Sequence, residues 1–538
     1  MREETRGRRN LPGLIIESGS GSRTGGERSL PGRDTTRRQK KTMASETKPH
    51  TNFKVIALAI AGAVGGFLFG FDSSVVNGTV DAVQTQFALS ASLVGFAVAS
   101  ALIGCAVGAY LAGRLADRWG RIPTMITGAI LFLASAIGCG LAFGVVDLIV
   151  WRLIGGLGIG IASVIAPAYI AEISPRLLRG RLASLQQLAI TIGIFAALLS
   201  DTLFANAAGS AGDEFWFGWE AWRWMFLAGA VPAVAYGLIS WRLPESPRFL
   251  VLKERDDEVR KIFARLWPGE DVERAIRDMR DAINADKLGS QKGALRGNRF
   301  GLKPIVWIGI ILSVFQQFVG INVIFYYSTT LWRSVGFQER DSFTISVLTS
   351  VTNIAVTFIA IALVDRVGRR PILLFGSAGM TISLATMAIA FSQADIVDGA
   401  PQLPGAWGPI ALIAANVFVI SFGASWGPVV WVLLGEIFPT KIRARALGVA
   451  AAAQWIANFL VTVSFPGLAA VSLVLTYGLY ALFAALSFLF VMRFVPETNG
   501  MSLEEANTLL PHKDSAKARA DAKATGAAPA KPQGAAKG

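Results

Sequence analysis

An acidic side chain stands inside a long apolar stretch near the start of the chain. Asp72 is the only charged residue of GFLFGFDSSVVNG (residues 66–78), and Arg152 stands in a second apolar stretch, VDLIVWRLIGG. An ionised side chain in hydrocarbon is costly, and such residues usually mark a pathway or a proton relay. Both residues are therefore candidates for chemistry inside a membrane.

The rise of a helix places the two charges in the same half of a bilayer. Asp72 lies roughly 13 Å from the outer end of its span at Asp81, and Arg152 lies roughly 7 Å inside the span that begins near Asp147. They are the only opposite charges that we place well inside spans, so we expect them to pair. The pair is either a permanent link between two helices or a proton site, since a nearby cation favours the charged carboxylate and apolar burial favours the neutral form.

The composition indicates a membrane protein. Of the 538 residues 53% are hydrophobic and 16% charged, and the mean hydropathy is +0.49, whereas an average soluble domain carries about 25% charged residues. Cys105 and Cys139 fall in apolar blocks, which argues against a disulfide framework or a zinc site. His50 and His512 lie outside these blocks, so a proton relay would have to use carboxylates. We expect no metal and no cofactor.

Twelve apolar blocks reach the length of about 20 residues that a helix needs to cross a bilayer. The predicted spans are 53–79, 90–112, 123–144, 147–168, 182–203, 222–242, 304–328, 342–364, 371–391, 408–434, 446–466 and 472–494. Of the 51 Lys and Arg residues, Arg152 lies in a span, Arg223, Arg333 and Arg340 lie on one side, and all others lie on the opposite side. The positive-inside rule therefore predicts that both termini are cytoplasmic. It also accounts for the net charge of +14 without nucleic acid.

The spans divide the chain into five predicted segments. Residues 1–52 form a disordered N-terminal tail, in which Met43 is a candidate start; 53–243 form a six-helix half; 244–303 form a cytoplasmic linker of short helices; 304–495 form a second six-helix half; and 496–538 form a cytoplasmic tail.

Three loop motifs recur six spans apart. The pairs are GRLADRWGR (113–121) with ALVDRVGRR (362–370), AEISPRLLRGRLAS (171–184) with GEIFPTKIRARALG (435–448), and PESPR (244–248) with PETNG (496–500). The chain is thus a duplicated six-helix unit, a pattern found in transporters that rock two halves around a central site.

With QQFVGIN (316–322) and GPVVWVLLGEIFP (427–439), these motifs resemble the sugar porter family of the major facilitator superfamily, from residue 53 to about residue 505. The resemblance implies an all-α membrane fold with 12 transmembrane helices in two six-helix repeats. It is strongest to bacterial sugar–proton symporters, and extends to animal glucose facilitators. Proton-coupled members have Asp at the position of Asp72, and passive facilitators have Asn there.

The resemblance also implies a sugar site of amide side chains, which donate and accept hydrogen bonds, and of aromatic rings. The matching residues are Phe69, Gln187, Gln316, Gln317, Asn322, Asn353, Trp431, Gln454 and Trp455. Amides also join helices in lipid, which we favour for Gln186 or Asn353 alone, whereas the three amides of QQFVGIN favour a binding surface. Ile194 and Phe325 resemble the glucose facilitators and favour a hexose.

Other residues are predicted to move or close the site. Gly427 and Pro428 should interrupt the tenth helix, and Tyr326 and Tyr327 should close the outer side. Charged residues at cytoplasmic helix ends serve either as helix caps or, as the resemblance implies, as a network between the halves that shuts the cytoplasmic side. They are Asp117, Arg118, Arg121, Glu172, Arg176, Asp365, Arg366, Arg369, Glu436 and Arg443.

The expected function is proton-coupled symport of a monosaccharide, a glucose-like hexose, by a monomer in the cytoplasmic membrane. Sugar, proton and the lipid bilayer are its expected partners. A passive sugar facilitator, a pentose or polyol symporter and a transporter-like sugar sensor remain alternatives. We do not expect an enzyme, because the chain shows no nucleophile elbow, His–metal cluster or phosphate loop. GLGIG (156–160) lies in an apolar span and is predicted to let helices pack closely.

Overall fold

The protein is a multi-pass membrane protein built almost entirely of helices. The computed structural model describes residues 53–174, 179–267, 271–292, 295, 301–397, 400–438 and 442–498. Within these ranges twelve helical segments are long and apolar enough to cross a membrane. Apolar stretches become helices because a helix satisfies its backbone hydrogen bonds internally where lipid offers no partner. Met43 and most of both predicted tails lie outside the described residues.

Six spans form the first half, and the sixth span consists of two helices that meet at Gly229. The helices are α1 (Phe53–Gln86), α2 (Ala91–Trp119), α3 (Arg121–Gly140), α4 (Val145–Ile173), α5 (Arg179–Ala208), α6 (Ala221–Ala228) and α7 (Ala230–Arg242). The linker follows as three short helices, α8 (Pro247–Leu252), α9 (Asp256–Leu266) and α10 (Val272–Lys292).

The second half repeats the six-span pattern. Its seventh span comprises α11 (Pro304–Phe318), α12 (Ile321–Tyr326) and α13 (Ser328–Ser334), and it is followed by α14 (Glu339–Val367), α15 (Arg369–Phe391), α16 (Trp407–Gly423) with α17 (Trp426–Ile437), α18 (Arg443–Val471) and α19 (Leu473–Phe494). A small antiparallel hairpin of β1 (Asp395–Val397) and β2 (Ala400–Gln402) precedes α16. We call the membrane face with α8–α10 the linker side and the opposite face the far side.

The tenth span breaks before the predicted position. Helix α16 ends at Gly423 and α17 begins at Trp426, so the break precedes the predicted Gly427–Pro428 step. The cause is Pro428, whose ring lacks an N–H and clashes with the carbonyl four residues earlier, that of Ala424. Pro428 itself fits within the first turn of α17, where an N–H has no helical partner.

Matching glycines begin the third and ninth spans. Gly120 has φ +107° and Gly368 has φ +100°, a conformation that favours glycine. A carboxylate from the end of the same half, Glu245 or Glu497, fills the place of the missing Cβ. Glu245 accepts hydrogen bonds from the two backbone amides after Gly120 at 2.9 and 3.2 Å, and Glu497 accepts the equivalent pair at 3.0 Å. These two clamps explain why the PESPR and PETNG motifs recur, because each caps a helix of its own half.

Small residues bring helices into close contact in the first half. A Cβ on Gly156 or Gly160 of α4 would collide with the backbone of Ala101 or Cys105 of α2, which confirms the role predicted for GLGIG. The halves meet where α2 packs against α18, where α5 packs against α14, and where α1 packs against α12 and α13.

The linker helices have a small apolar core of their own, which includes Phe249, Val259 and Phe263. Their outer faces are charged. The hydrogen bond from Arg260, at 2.8 Å, lowers the pKa of Glu273. The linker of short helices predicted from the charge pattern is thus confirmed.

The close approach of α2 and α4 can be tested with a matched pair of glycines. We expect Gly156→Ala to destabilise the protein by about 1–3 kcal/mol, because the added methyl overpacks the contact with Ala101. Gly435→Ala in α17 meets nothing within 4 Å and should gain up to about 1 kcal/mol from helix propensity. Thermal unfolding of the purified protein in detergent compares the two, and an equal effect of both substitutions would contradict the packing.

Candidate functional site

The ion pair between Asp72 and Arg152 lies deep in the first half. Helix α1 carries Asp72 and α4 carries Arg152, and Nη1 of the guanidinium donates to Oδ1 of the carboxylate at 2.9 Å. The two residues are only 7% and 4% exposed. A cavity of about 20 Å³ borders Arg152, which is room for about one water molecule. The structure thus joins the two charges that were predicted to lie at similar depths.

A chain of amides links the seventh and eleventh spans. The Asn322 side-chain nitrogen donates to Oε1 of Gln317 at 2.6 Å and to Oδ1 of Asn458 at 2.8 Å. Gln316 donates to the backbone carbonyls of Trp426 and Gly427 at 2.8 and 3.3 Å. These carbonyls belong to the first turn of α17, so Gln316 joins the seventh span to the second helix of the tenth span.

Several glutamine side chains in the spans have an amide oxygen without a partner. Among the described residues, Oε1 of Gln186, Gln316 and Gln454 is buried and makes no hydrogen bond. They come from the fifth, seventh and eleventh spans, and half-buried Gln187 follows Gln186 directly. A buried amide oxygen normally has a donor, so these three oxygens are suited to accept from a ligand that carries hydroxyl groups.

An aromatic contact joins the two halves. The rings of Phe69 on α1 and Trp455 on α18 meet edge to face with their centroids 5.7 Å apart. Phe69 lies one turn before Asp72 on the same helix. One helix, α1, therefore carries both a member of the ion pair and a member of the aromatic contact.

Comparison with known proteins identifies the family. The family model described as "Sugar (and other) transporter" matches residues 58–510. The chain belongs to this family of transporters. This transporter is 52% identical over 465 residues to the glucose transport protein of Synechocystis sp., a match that covers 86% of this chain and 98% of that protein. It is 34% identical over 491 residues to the D-xylose-proton symporter of Escherichia coli, covering 85% of this chain and 95% of that protein.

A solved structure agrees with the fold of the transporter. The inward-open structure of the E. coli xylose transporter matches with a TM-score of 0.72 at 34% identity, covering 85% of this chain and all of that one (100%). The predicted fold of twelve spans in two six-helix repeats is thereby confirmed, as is the predicted sugar porter resemblance.

Two predicted sugar-site residues have no described contact with the amide chain. Asn353 on α14 is buried and its Oδ1 packs against Gly423 of α16. Trp431 on α17 is 43% exposed, and no described hydrogen bond or ring contact connects it to the amides. Their roles in binding stay predictions.

The two tyrosines predicted to close the outer side are both buried. The Tyr327 hydroxyl donates to the backbone carbonyl of Thr462 at 3.0 Å, and its ring lies 5.0 Å from that of Phe465. Tyr326 is 4% exposed. Tyr327 thus packs onto α18 of its own half in this state, and a closing role for the two tyrosines stays a prediction.

Contacts between the halves close the far side of the transporter. The amide of Thr329 and its hydroxyl both donate to Asn77, at 3.0 and 2.9 Å. Asp81 accepts from Thr330 and from Arg333, each at 2.8 Å. These contacts join α1 to α13. The sequence carried a signal for them, since Asp81 and Arg333 have opposite charge and lie at the far-side ends of the first and seventh spans.

The charged clusters on the linker side repeat in both halves. Arg121 binds Glu172 at 2.8 and 3.0 Å, and Arg369 binds Glu436 at 2.9 and 3.2 Å. Ser246 donates to Glu172 and Thr498 to Glu436, both at 2.5 Å. Each of these described pairs lies within one half. A network between the halves, which was expected when the outer side is open, stays a prediction in this state.

The remaining charged residues of this predicted group are peripheral or lie outside the description. Asp117 accepts from Arg121 at 3.4 Å with its side chain 66% exposed, and Arg118 and Arg366 are exposed. Arg176, and the side chains of Asp365 and Arg443, lie outside the described residues.

Sequence reasoning missed two buried polar residues. Asn458 of α18 accepts hydrogen bonds from Asn322 and Thr462. The one sequence signal for this residue is an amide side chain within an otherwise apolar helix. Asp201 falls near the end of the predicted span 182–203, but α5 continues to Ala208 and Asp201 is fully buried. Asp72 and Arg152 are therefore not the only charge-bearing residues well inside the spans.

A double-mutant cycle tests the energy of the ion pair. Arg152→Met leaves the carboxylate buried without a cation and should destabilise the protein by about 3–5 kcal/mol. Adding Asp72→Asn removes the stranded charge and should recover at least half of that loss. Thermal unfolding in detergent at neutral pH measures each variant, and simple additivity of the two single effects would show that the residues do not interact.

Proposed function

We propose that this protein is a proton-coupled symporter of a monosaccharide, a glucose-like hexose, that works by alternating access in the cytoplasmic membrane. The observation that carries the proposal is the buried pair of Asp72 and Arg152 at 2.9 Å. The relatives support it, since one is named a glucose transport protein and another a D-xylose-proton symporter.

Proton binding would act through the tie between α1 and α4. A proton on Asp72 removes the carboxylate charge, so Arg152 loses its partner and the two helices are no longer held by the ion pair. Helix α1 also carries Phe69, which contacts Trp455 of the other half, and Asn77, which binds Thr329. A change at Asp72 therefore reaches both the sugar site and the closure of the far side along one helix.

The sugar would occupy the space between the halves beside the amide chain. The free amide oxygens of Gln186, Gln316 and Gln454 would accept from sugar hydroxyls, and the rings of Phe69 and Trp455 would pack on an apolar face of the sugar. Gln317 and Asn322 would exchange part of their mutual hydrogen bond for bonds to the ligand.

The orientation follows from charge. The linker side carries almost all Lys and Arg residues, which supports a cytoplasmic linker side with both termini in the cytoplasm. The far side is then outside the cell. Because α1 and α13 are joined there, this state has its outer side closed, in keeping with its similarity to an inward-open structure. A monomer suffices, since both halves of the site come from one chain.

Substitution of Asp72 separates coupling from binding. We expect Asp72→Asn to abolish sugar-driven alkalinisation of the medium, because an amide cannot take up a proton, while exchange of labelled sugar across the membrane survives. Proteoliposomes with a pH electrode and radiolabelled sugar provide both readings. Proton uptake at the parent's rate in this variant would refute the coupling role and favour a passive facilitator.

The amide chain predicts which substitutions weaken sugar binding. Gln317→Ala and Asn322→Ala should each raise the dissociation constant about tenfold, the loss of roughly 1.4 kcal/mol of hydrogen bonding. Asn416→Ala is the matched control, because Asn416 on α16 bonds only its own helix at Leu412 in the described contacts. Equal affinity losses in all three variants would argue for general destabilisation.

The sugar itself is identified by uptake in proteoliposomes. Labelled hexoses and pentoses are supplied with and without an imposed proton gradient, and glucose should accumulate above equilibrium only with the gradient. Preferential accumulation of a pentose or polyol would change the substrate. Binding without any uptake would favour a sensor.

A further inference from the structure

A second carboxylate is buried in the membrane-spanning region without an ion-pair partner. Asp201 of α5 is 0% exposed. Among the described residues no side chain donates to either of its carboxylate oxygens, and the polar group that interacts with it is the backbone of Gly78. The ion pair of Asp72 and Arg152 does not involve it, so the coupling scheme above leaves Asp201 without a role.

The charged groups nearest in the fold are engaged with one another. The helices packed against α5 carry, in their outer halves, Asp72, Asp81, Asp147, Arg152, Glu220, Arg223, Glu339, Arg340 and Asp341. Arg340 and Asp341 are exposed at the start of α14. Asp72 binds Arg152, Asp81 binds Arg333, and Glu220 binds Arg223. Glu339 accepts from the amide of Ala211 at 2.9 Å. In the described structure Asp201 therefore has no cation to compensate a negative charge.

Asp201 lies directly behind the wall of the outer cavity. This cavity has a volume of about 320 Å³ and is lined by residues that include Gly78, Asp81, Ala82, Glu220 and Glu339. A Cβ on Gly78 would lie 2.7 Å from both Cβ and Oδ2 of Asp201. The carboxyl group thus packs against the backbone of a residue that faces the cavity, and glycine is the residue that leaves room for it.

The preferred protonation state of Asp201 depends on whether the outer side is closed. When α1 and α13 are joined, an ionised and unpaired carboxylate in this position is strongly disfavoured, so the group holds a proton. When the two helices part, the cavity beside Gly78 widens and its water can reach the carboxylate, which is ionised at neutral pH in water. Closing then forms one O–H bond on Asp201 with a proton from the outer solution, and opening returns that proton.

We propose that Asp201 is a second proton-binding residue, and that its protonation from outside is required for the outer side to close. The inference rests on the alternating-access function proposed above. It does not depend on Asp72 being the coupling site, since it concerns closure of the outer side with or without sugar.

Accessibility of the outer cavity to a thiol reagent tests the proposal directly. Ala82→Cys places a thiol on the cavity wall, and the native Cys105 and Cys139 are buried. A membrane-impermeant maleimide is applied from outside to the full-length protein in oriented proteoliposomes, across a range of external pH and without sugar. At each pH the labelling rate is divided by that of the same protein carrying Asp201→Asn, which cancels the ionisation of the thiol.

The expected ratio rises with external pH by up to about tenfold per unit, the limit for a single linked proton. The reason is that loss of the proton from Asp201 opens the outer side of the parent, whereas the Asp201→Asn variant is neutral at every pH. Glu220→Gln is the matched control, since it neutralises a partly exposed carboxylate of the same cavity, and it should leave the pH dependence as in the parent. A ratio that stays flat with pH overturns the proposal.

An infrared measurement guards against a variant that fails to fold. The carbonyl stretch of a protonated carboxyl group should be present in the parent at neutral pH and absent in Asp201→Asn, with both proteins monodisperse. An unchanged band overturns the proposal. If Asp72→Asn retains proton uptake while the ratio of labelling rates still rises with external pH, the coupling role of Asp72 fails and the role of Asp201 stands.

Discussion

A charge buried in lipid has no water to solvate it. In this structure Asp72 and Arg152 compensate each other's charge by forming an ion pair. Asp72 of this pair lies on α1, which also packs against α5 through its glycines, touches the second half through Phe69, and joins α13 through Asn77. One helix therefore connects the charge, the amide-lined space and the far-side closure. A change in the charge state of one carboxylate can reach all three because α1 is continuous from Phe53 to Gln86.

Most of the fold could be predicted from the sequence because its physical signals are strong. Apolar blocks of bilayer length predict spans, and the placement of Lys and Arg predicts sidedness. The contact between Asp72 and Arg152 was also predictable, because helix rise alone sets the depth of each residue and few charges compete. The break in the tenth span was assigned to Gly427 and Pro428, whereas the disturbed backbone lies up to one turn earlier, where the carbonyl of Ala424 meets the proline ring.

Other features depend on the rotation of each helix about its axis, which hydropathy does not reveal when a span is apolar on all sides. Asn458 and Asp201 are examples: whether either faces lipid, a neighbouring helix or the central space is decided only when the bundle is assembled. The pairing of Glu245 with the start of α3 is another, because its partners are backbone amides and carry no sequence signal. The orientation of the Gln316 amide likewise depends on a backbone carbonyl of a distant span.

The two carboxylate clamps at Gly120 and Gly368 bear on how the molecule deforms. Each ties the end of a half to the start of its third helix, so each bundle of six is braced on the linker side. Deformation is then concentrated where the two bundles meet, because the described pairs of Arg121 with Glu172 and of Arg369 with Glu436 each lie within one half. The two six-helix halves should therefore move as rigid bodies about the interface between them. A structural change caused by one ligand is then transmitted to the site of the other with little deformation inside either half.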